Sequence, residues 1–352
     1  MPQALRKSLG NLVAKAAATL PLGWIQGISG ASLIVPYYHM VSDDVVPHVS
    51  HLYRFRTIKE FTADVEFLVR HFQPVTLDDI VNALDGKRKL PPACFHLTFD
   101  DGFREMHDVV APILHRSGVP ASFFINTAFT DGGGLAHHNV LSLILHTLEQ
   151  RRGIPEPALQ SLKSLLPAIE TQTLQQQILA VPFVDRATVS SMLAVLEISL
   201  PEYIRQKEPY LSSDQIRGLI KQGFSIGAHS HDHPLYAAIS LDEQVAQTRT
   251  SMEFLTSRFG IKPKAFAFPH TDTGVKESFF STVFSERIVD ISFGTGGLVP
   301  HFYPRNIERF TMEKTAAGAR EILARQFARA AYHRLRRERP LAQFRQPAPN
   351  VV

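Results

Sequence analysis

Strand-like and helix-like segments alternate along two stretches of this chain, and that alternation restricts the fold more than any other feature. Ser32–His39 is a short apolar run that ends in polar residues, the pattern of a buried strand. Thr57–Phe72 carries Phe61, Val65, Leu68 and Val69 on one helical face, and Thr57 with Glu60 forms a capping box. Ala93–Phe99 is the next strand, Arg104–Ser117 a helix stopped by Gly118, and Pro120–Asn126 a third strand. The same rhythm returns with a helix over Gln215–Gln222, a strand over Phe224–His229, a helix over Leu241–Phe259 and a strand over Ala265–Phe268. Ile288–Phe293 and Ile307–Phe310 are further short strands. Strand, helix, strand at this spacing means parallel βαβ units and an α/β fold. Between Thr130 and Tyr210 the strand signal disappears. Val140–Arg151 and Glu156–Ala180 read as helices, so about 131–210 is expected to be a helical insertion.

The ends are different. Leu5, Leu9, Leu12, Ala16 and Leu20 recur at helical spacing beside Arg6, Lys7 and Lys15, ahead of the first acidic residue, Asp43. In the tail, Leu323, Phe327, Ala331 and Leu335 repeat every four residues. Arg320, Arg325, Arg329, Arg334, Arg336, Arg337, Arg339 and Arg345 stand around them, against Glu321 and Glu338. Basic amphipathic helices either pack on their own domain or lie on an anionic membrane surface. The expected division is therefore a terminal helix over 1–30, an α/β domain over 31–312 and a basic helix and tail over 313–352. The run from Leu12 to Ile25 is broken by Lys15, Pro21 and Gly23, too short to span a bilayer and a poor signal peptide. A single cysteine, Cys94, rules out an intramolecular disulfide and fits a reducing compartment. The expectation is a cytoplasmic protein, peripheral on the inner membrane if its end helices bind there. A net charge of +4 on 352 residues does not mark a nucleic-acid partner.

Two clusters carry chemistry. The strand ending at Phe99 runs into Asp100-Asp101-Gly102, and adjacent carboxylates repel unless a cation or a proton relieves them. Gly102 permits a sharp turn just after the pair. The strand ending at Ala228 runs into His229-Ser-His-Asp-His233-Pro234, whose first and last histidines would share one side of a helical turn, with His231 pointing away. Parallel α/β folds place their sites at the C-terminal ends of strands. Two histidines and one aspartate leave positions on a metal open for water and substrate, as catalysis requires.

Thr98-Phe-Asp-Asp-Gly102 and His229-Ser-x-x-His233-Pro234 resemble the first two motifs of the polysaccharide deacetylase family, the NodB-homology carbohydrate esterases. The resemblance covers about 31–130 and 211–310 and implies a distorted (β/α)7 barrel. It also implies Asp100 as general base and Asp101, His229 and His233 as ligands of a divalent metal, zinc being the expected ion. The family's third motif often reads Arg-x-Pro-Tyr. Here the segment is Phe266-Ala-Phe-Pro-His270, so Ala267 stands where the arginine would be. Arg305 or Arg309 is the candidate to supply that charge beside Asp100. The motif that furnishes the general acid is not recognisable, and His39 and His270 are the candidates. His137-His138 reads as a loop pair and Gly132-Gly-Gly134 as a flexible turn. The implied reaction is removal of N-acetyl groups from amino sugars of a polysaccharide or lipid-linked glycan. An O-acetyl esterase of the same fold, a cyclic-amide hydrolase and an inactive sugar-binding module are the alternatives. A non-haem iron oxygenase also uses two histidines and a carboxylate, but it normally sits on a β-sandwich, whereas this chain has a βα rhythm.

Overall fold

A computed structural model describes residues 21–150, 155–167, 169, 171–299 and 301–335. The predicted helix over residues 5–20 and the tail beyond Leu335 lie outside the described residues. The strands are β1 Leu33–Ile34, β2 Pro36–Tyr38, β3 Gln73–Pro74, β4 Cys94–Phe95, β5 Leu97–Phe99, β6 Ala121–Ile125, β7 Ser225–Ala228, β8 Ala265–Ala267, β9 Ile291–Gly294, β10 Asn306–Glu308 and β11 Phe310–Thr311. Eight of them form one parallel sheet in the order β10-β9-β8-β7-β6-β5-β2-β11. Its two edges, β10 and β11, are halves of one segment split at Arg309. The first half pairs with β9 and the second with β2. The segment therefore joins the sheet's two ends and closes the distorted (β/α)7 barrel. β1, β4 and β3 form a small parallel sheet beneath it, extending two of the staves.

Helices cover the barrel as the sequence periods predict. Ile58–His71 has the Thr57–Glu60 capping box and buries Phe61, Val65 and Leu68. Met106–Val110 is a π-helical turn that continues into the α-helix Ala111–Ser117, where a single regular helix was expected. The tail helix, Ala319–Leu335, buries Leu323, Phe327 and Ala331, whereas Leu335, expected on the same face, is exposed, and Arg334 donates to the carbonyls of Gly27 and Ile28. Arg56, itself buried, lies 3.1 Å from Asp64, which accepts the backbone N–H of Ala319. Arg56 also donates to the carbonyls of Thr315 and Ala317, so this ion pair holds the start of the tail helix. No helix among the described residues is long and apolar enough to cross a membrane.

The insertion lies between β6 and β7. It comprises helices His137–Gln150, Glu156–Ser164, Leu174–Leu179, Arg186–Val195 and Leu200–Lys207, so the expected Glu156–Ala180 helix is two short ones. These helices share an apolar core of their own, including Leu141, Ile144, Leu162, Ile178 and Met192. That core continues onto Met40, Val46 and Val49 of the loop after β2. Asn139 donates to the His48 carbonyl (2.7 Å) and accepts from the Tyr210 hydroxyl (2.9 Å). The insertion is thus docked onto the C-terminal end of the barrel, where the site lies.

Gly227, inside β7, has no room for a side chain. A Cβ there would sit 2.5 Å from a Phe124 ring carbon and 2.7 Å from the Ala265 carbonyl oxygen. Gly227→Ala should lower unfolding free energy by about 1–3 kcal/mol through overpacking, read as a lower urea midpoint. An unchanged midpoint would mean that β7 is not clamped between β6 and β8 in this way.

Candidate active site

The strand registers bring the site together. Tyr38 pairs with Phe99, so His39 and Asp100 leave neighbouring strand ends together, and Asp100 N–H bonds the Tyr38 carbonyl at 2.9 Å. Ile125 pairs with Ala228, and Ala228 with Phe266. His229 therefore emerges beside Ala267, and its Nδ1 lies 2.9 Å from the Ala267 carbonyl. The carbonyl can only accept, so His229 carries its proton on Nδ1 and turns a lone pair on Nε2 toward Asp101.

Asp101 Oδ1 is 3.5 Å from His229 Nε2 and 3.1 Å from His233 Nε2. Two ligands each about 2.1 Å from one tetrahedral ion would be about 3.4 Å apart. All three residues are buried, and Asp101 Oδ1 has no hydrogen-bond partner. A buried carboxylate oxygen facing two imidazole nitrogens, and otherwise unsatisfied, is the donor set a divalent cation needs. The residues fit the metal.

The backbone here is unusual. Asp101, Ser230, His233 and His270 all have positive φ, between 57° and 77°, in the left-handed region. This corrects the expectation of a helical turn under His229 and His233. Ser230 and His233 swing the chain back on itself instead, and the His233 N–H bonds Ser230 Oγ at 3.0 Å. His231 points away, as expected, with Nδ1 3.0 Å from Thr127 Oγ1. Strain of this kind costs about 1–3 kcal/mol per residue and gathers where function requires it.

Arg309, not Arg305, faces Asp100. Its two terminal nitrogens bond the two Asp100 oxygens at 2.7 and 2.8 Å, and one also bonds Thr98 Oγ1 at 3.0 Å. The guanidinium is fully buried, 4.7 Å from the centre of the Tyr37 ring, and donates through Nε to the Gly294 carbonyl. Burial works to raise the Asp100 pKa, yet Arg309 brings it below the ordinary value. Arg305 lies elsewhere, paired with Asp85 and bonded to the Asp290 carbonyl, because it precedes β10 and so sits at the N-terminal end of that strand, away from the C-terminal ends that carry the site.

His39 has a partner that sequence reasoning missed. Its Nδ1 is 2.6 Å from Glu313 Oε2, and the same carboxylate accepts the backbone N–H groups of His39 and Met40. Burial opposes a charge on His39, but Glu313 outweighs it and pushes the imidazole up to about 9. Tyr53 packs on the His39 ring at 4.6 Å, with its own hydroxyl buried and unpartnered. His270 sits at the mouth, its ring 4.5 Å from that of His233. The reading of His137-His138 as a loop pair is overturned. His138 lies in the first turn of the first insertion helix, His137–Gln150, and its ring lies 4.5 Å from that of His233. The sequence carried a signal for neither Glu313 nor His138.

A second cluster, Asp272, His301 and Glu308, lies on the far side of Arg309. His301 Nδ1 accepts the Tyr303 N–H at 3.0 Å, so its Nε2 bears the proton and faces Asp272 as a donor. Burial and the neighbouring Asp272 push the Glu308 carboxyl up to about 9.

The sequence profile of the polysaccharide deacetylase family matches residues 87–155 and 163–277, just over half the chain. The chain belongs to the polysaccharide deacetylase family. No curated protein sequence matches it. Among solved structures, the Streptococcus pyogenes deacetylase PplD, in complex with acetate, is similar at a TM-score of 0.55 and 12% identity, covering 84% of this chain and 99% of that one. IcaB from Ammonifex degensii gives 0.53 and 15%, covering 86% and 97%. A de-N-acetylase from Aggregatibacter actinomycetemcomitans gives 0.51 and 16%, covering 83% and 99%. At these identities the likeness concerns the fold, and it agrees with the barrel described above.

Removing one partner of the buried Arg309–Asp100 pair leaves an uncompensated charge. Arg309→Ala should destabilise the protein by about 3–5 kcal/mol, whereas the double change Arg309→Met, Asp100→Leu should recover most of that loss. Chemical denaturation of both variants checks the pair, and equal destabilisation would show that the charge is not what matters.

Proposed function

We propose that this protein is a metal-dependent hydrolase that removes N-acetyl groups from amino sugars of a polysaccharide or other glycan. The observation that carries the reading is a held carboxylate and an imidazole paired with a buried carboxylate at the ends of two paired strands, beside three residues whose donor atoms fit a metal ion. Asp101, His229 and His233 would hold the ion, with zinc the expected identity. Bound there, it would supply a Lewis acid that polarises the acetyl carbonyl and favours attack by water.

The chain's own residues do the rest. Asp100, anionic and fixed by the Arg309 fork, accepts the proton of the attacking water. His39, charged through Glu313, gives a proton to the departing nitrogen from Nε2, since Nδ1 is engaged with the carboxylate. An amine cannot leave as its anion, so amide cleavage requires such an acid, whereas an ester's alkoxide depends on it far less. An imidazole held protonated to about pH 9 therefore favours the amide over the O-acetyl ester. The family assignment and the activity named for the Aggregatibacter neighbour support the same substrate class.

Acetate release from a panel of N-acetylated and O-acetylated glycans, with added divalent metals, tests the assignment. His229→Ala should lose both metal and turnover. Asp100→Asn should keep metal and lose about 10²–10⁴ in rate. Acetate released only from O-acetylated substrates, or full activity in Asp100→Asn, would defeat the proposal.

The pH profile supplies a separate check. His39 must be protonated to act, so activity should fall as pH rises through about 9. Glu313→Gln removes the charge that raises it, and the alkaline limb should move down toward the ordinary histidine value of about 6.5. An alkaline limb unmoved in Glu313→Gln would exclude His39 as the acid.

A further inference from the structure

We propose that His138, delivered by the helical insertion, is a positioning residue for the metal ligand His233. The inference rests on the metal-site reading above. With Nε2 turned toward Asp101 as a ligand, a neutral His233 must carry its proton on Nδ1. Metal-bound histidines almost always donate that second N–H to an acceptor, which fixes ring orientation and strengthens the ligand. His229 does so to the Ala267 carbonyl. His233 Nδ1 is buried and has no partner.

Two rings border it. His138 lies 4.5 Å away at an interplanar angle of 49°, and His270 lies 4.5 Å away at 71°. One nitrogen from each of the three rings lies within 4.8 Å of the others, a spacing that one bridging water spans. The backbone decides between them. His270 is exposed, in a loop with a left-handed backbone, where it is available to substrate. His138 is half-buried between two anchored neighbours. His137 Nε2 bonds the Val181 carbonyl at 2.8 Å, and Asn139 is tied to both His48 and Tyr210. The insertion therefore holds His138 in place as the acceptor for the His233 N–H. It completes the metal site as well as covering it.

Zinc affinity of the full-length protein, measured by competition with a chromophoric chelator, tests this without recourse to activity. His138→Phe keeps a ring and removes the acceptor, and should weaken zinc binding by about 10- to 100-fold. His138→Gln restores an acceptor and should recover most of the affinity. His270→Phe should leave affinity within a few-fold of wild type. The metal-free melting temperature should be the same in all three variants, which separates positioning from a general structural role. Unchanged affinity in His138→Phe, or loss in His270→Phe alone, overturns the inference. So do two zinc ions bound per chain, which would make the imidazole trio a metal site of its own. A wild-type protein that takes up no zinc overturns the metal-site reading first, and this inference with it.

Discussion

The buried fork between Arg309 and Asp100 is the contact on which the site and the barrel both depend. Arg309 stands at the break of the last stave, where the chain leaves β9 and joins β2. Its side chain crosses the interior to the end of β5, so one ion pair ties the closure of the barrel to the carboxylate proposed as the base. A bidentate guanidinium fixes direction as well as charge. The aromatic faces of Tyr37, Phe124 and Phe293 surround it and take the place of water. The arginine missing at Ala267 is replaced in space from another strand, about forty residues later in the chain.

The side of the site that carries Asp101, His229 and His233 is built on unfavourable backbone, and its surroundings hold it there. The strain at Ser230 and His233 is offset by the Ser230 hydroxyl, which accepts the His233 N–H. Gln247 from the helix Leu241–Phe259 accepts the N–H groups of His231 and Asp232. Asn126, at the end of β6, donates to the His229 carbonyl. Asp101 and Gly102 turn together after β5, and Gly102 gives its carbonyl to Leu211, where the insertion returns to the barrel. Strand ends, the insertion and a covering helix thus share the cost of one conformation.

Charge is apportioned among separate elements. Glu313 follows β11 and reaches His39 after β2, so the acid's partner arrives with the same segment that closes the barrel. The proposed base is held anionic from one side of that segment and the proposed acid cationic from the other. Arg309 and Glu313 are four residues apart, on either side of β11. One short piece of chain therefore sets opposite charges on two neighbouring strand ends.

The sequence alone determined that Asp100-Asp101 and His229-x3-His233 sit at strand ends, because strand period, helix caps and a following glycine are local signals. It also determined the parallel α/β class, since βαβ spacing admits little else. The choice between Arg305 and Arg309 was left to the tertiary structure: both lie near the same short strand, and only the register of barrel closure decides which one points inward. Glu313 and His138 were equally hidden. Their partners lie 274 and 95 residues away in sequence, and nothing in their neighbours distinguishes them from a loop acid and a loop histidine. Pairings over such distances depend on how the insertion docks and how the last stave closes, and those outcomes follow from packing of the whole chain rather than from any local pattern.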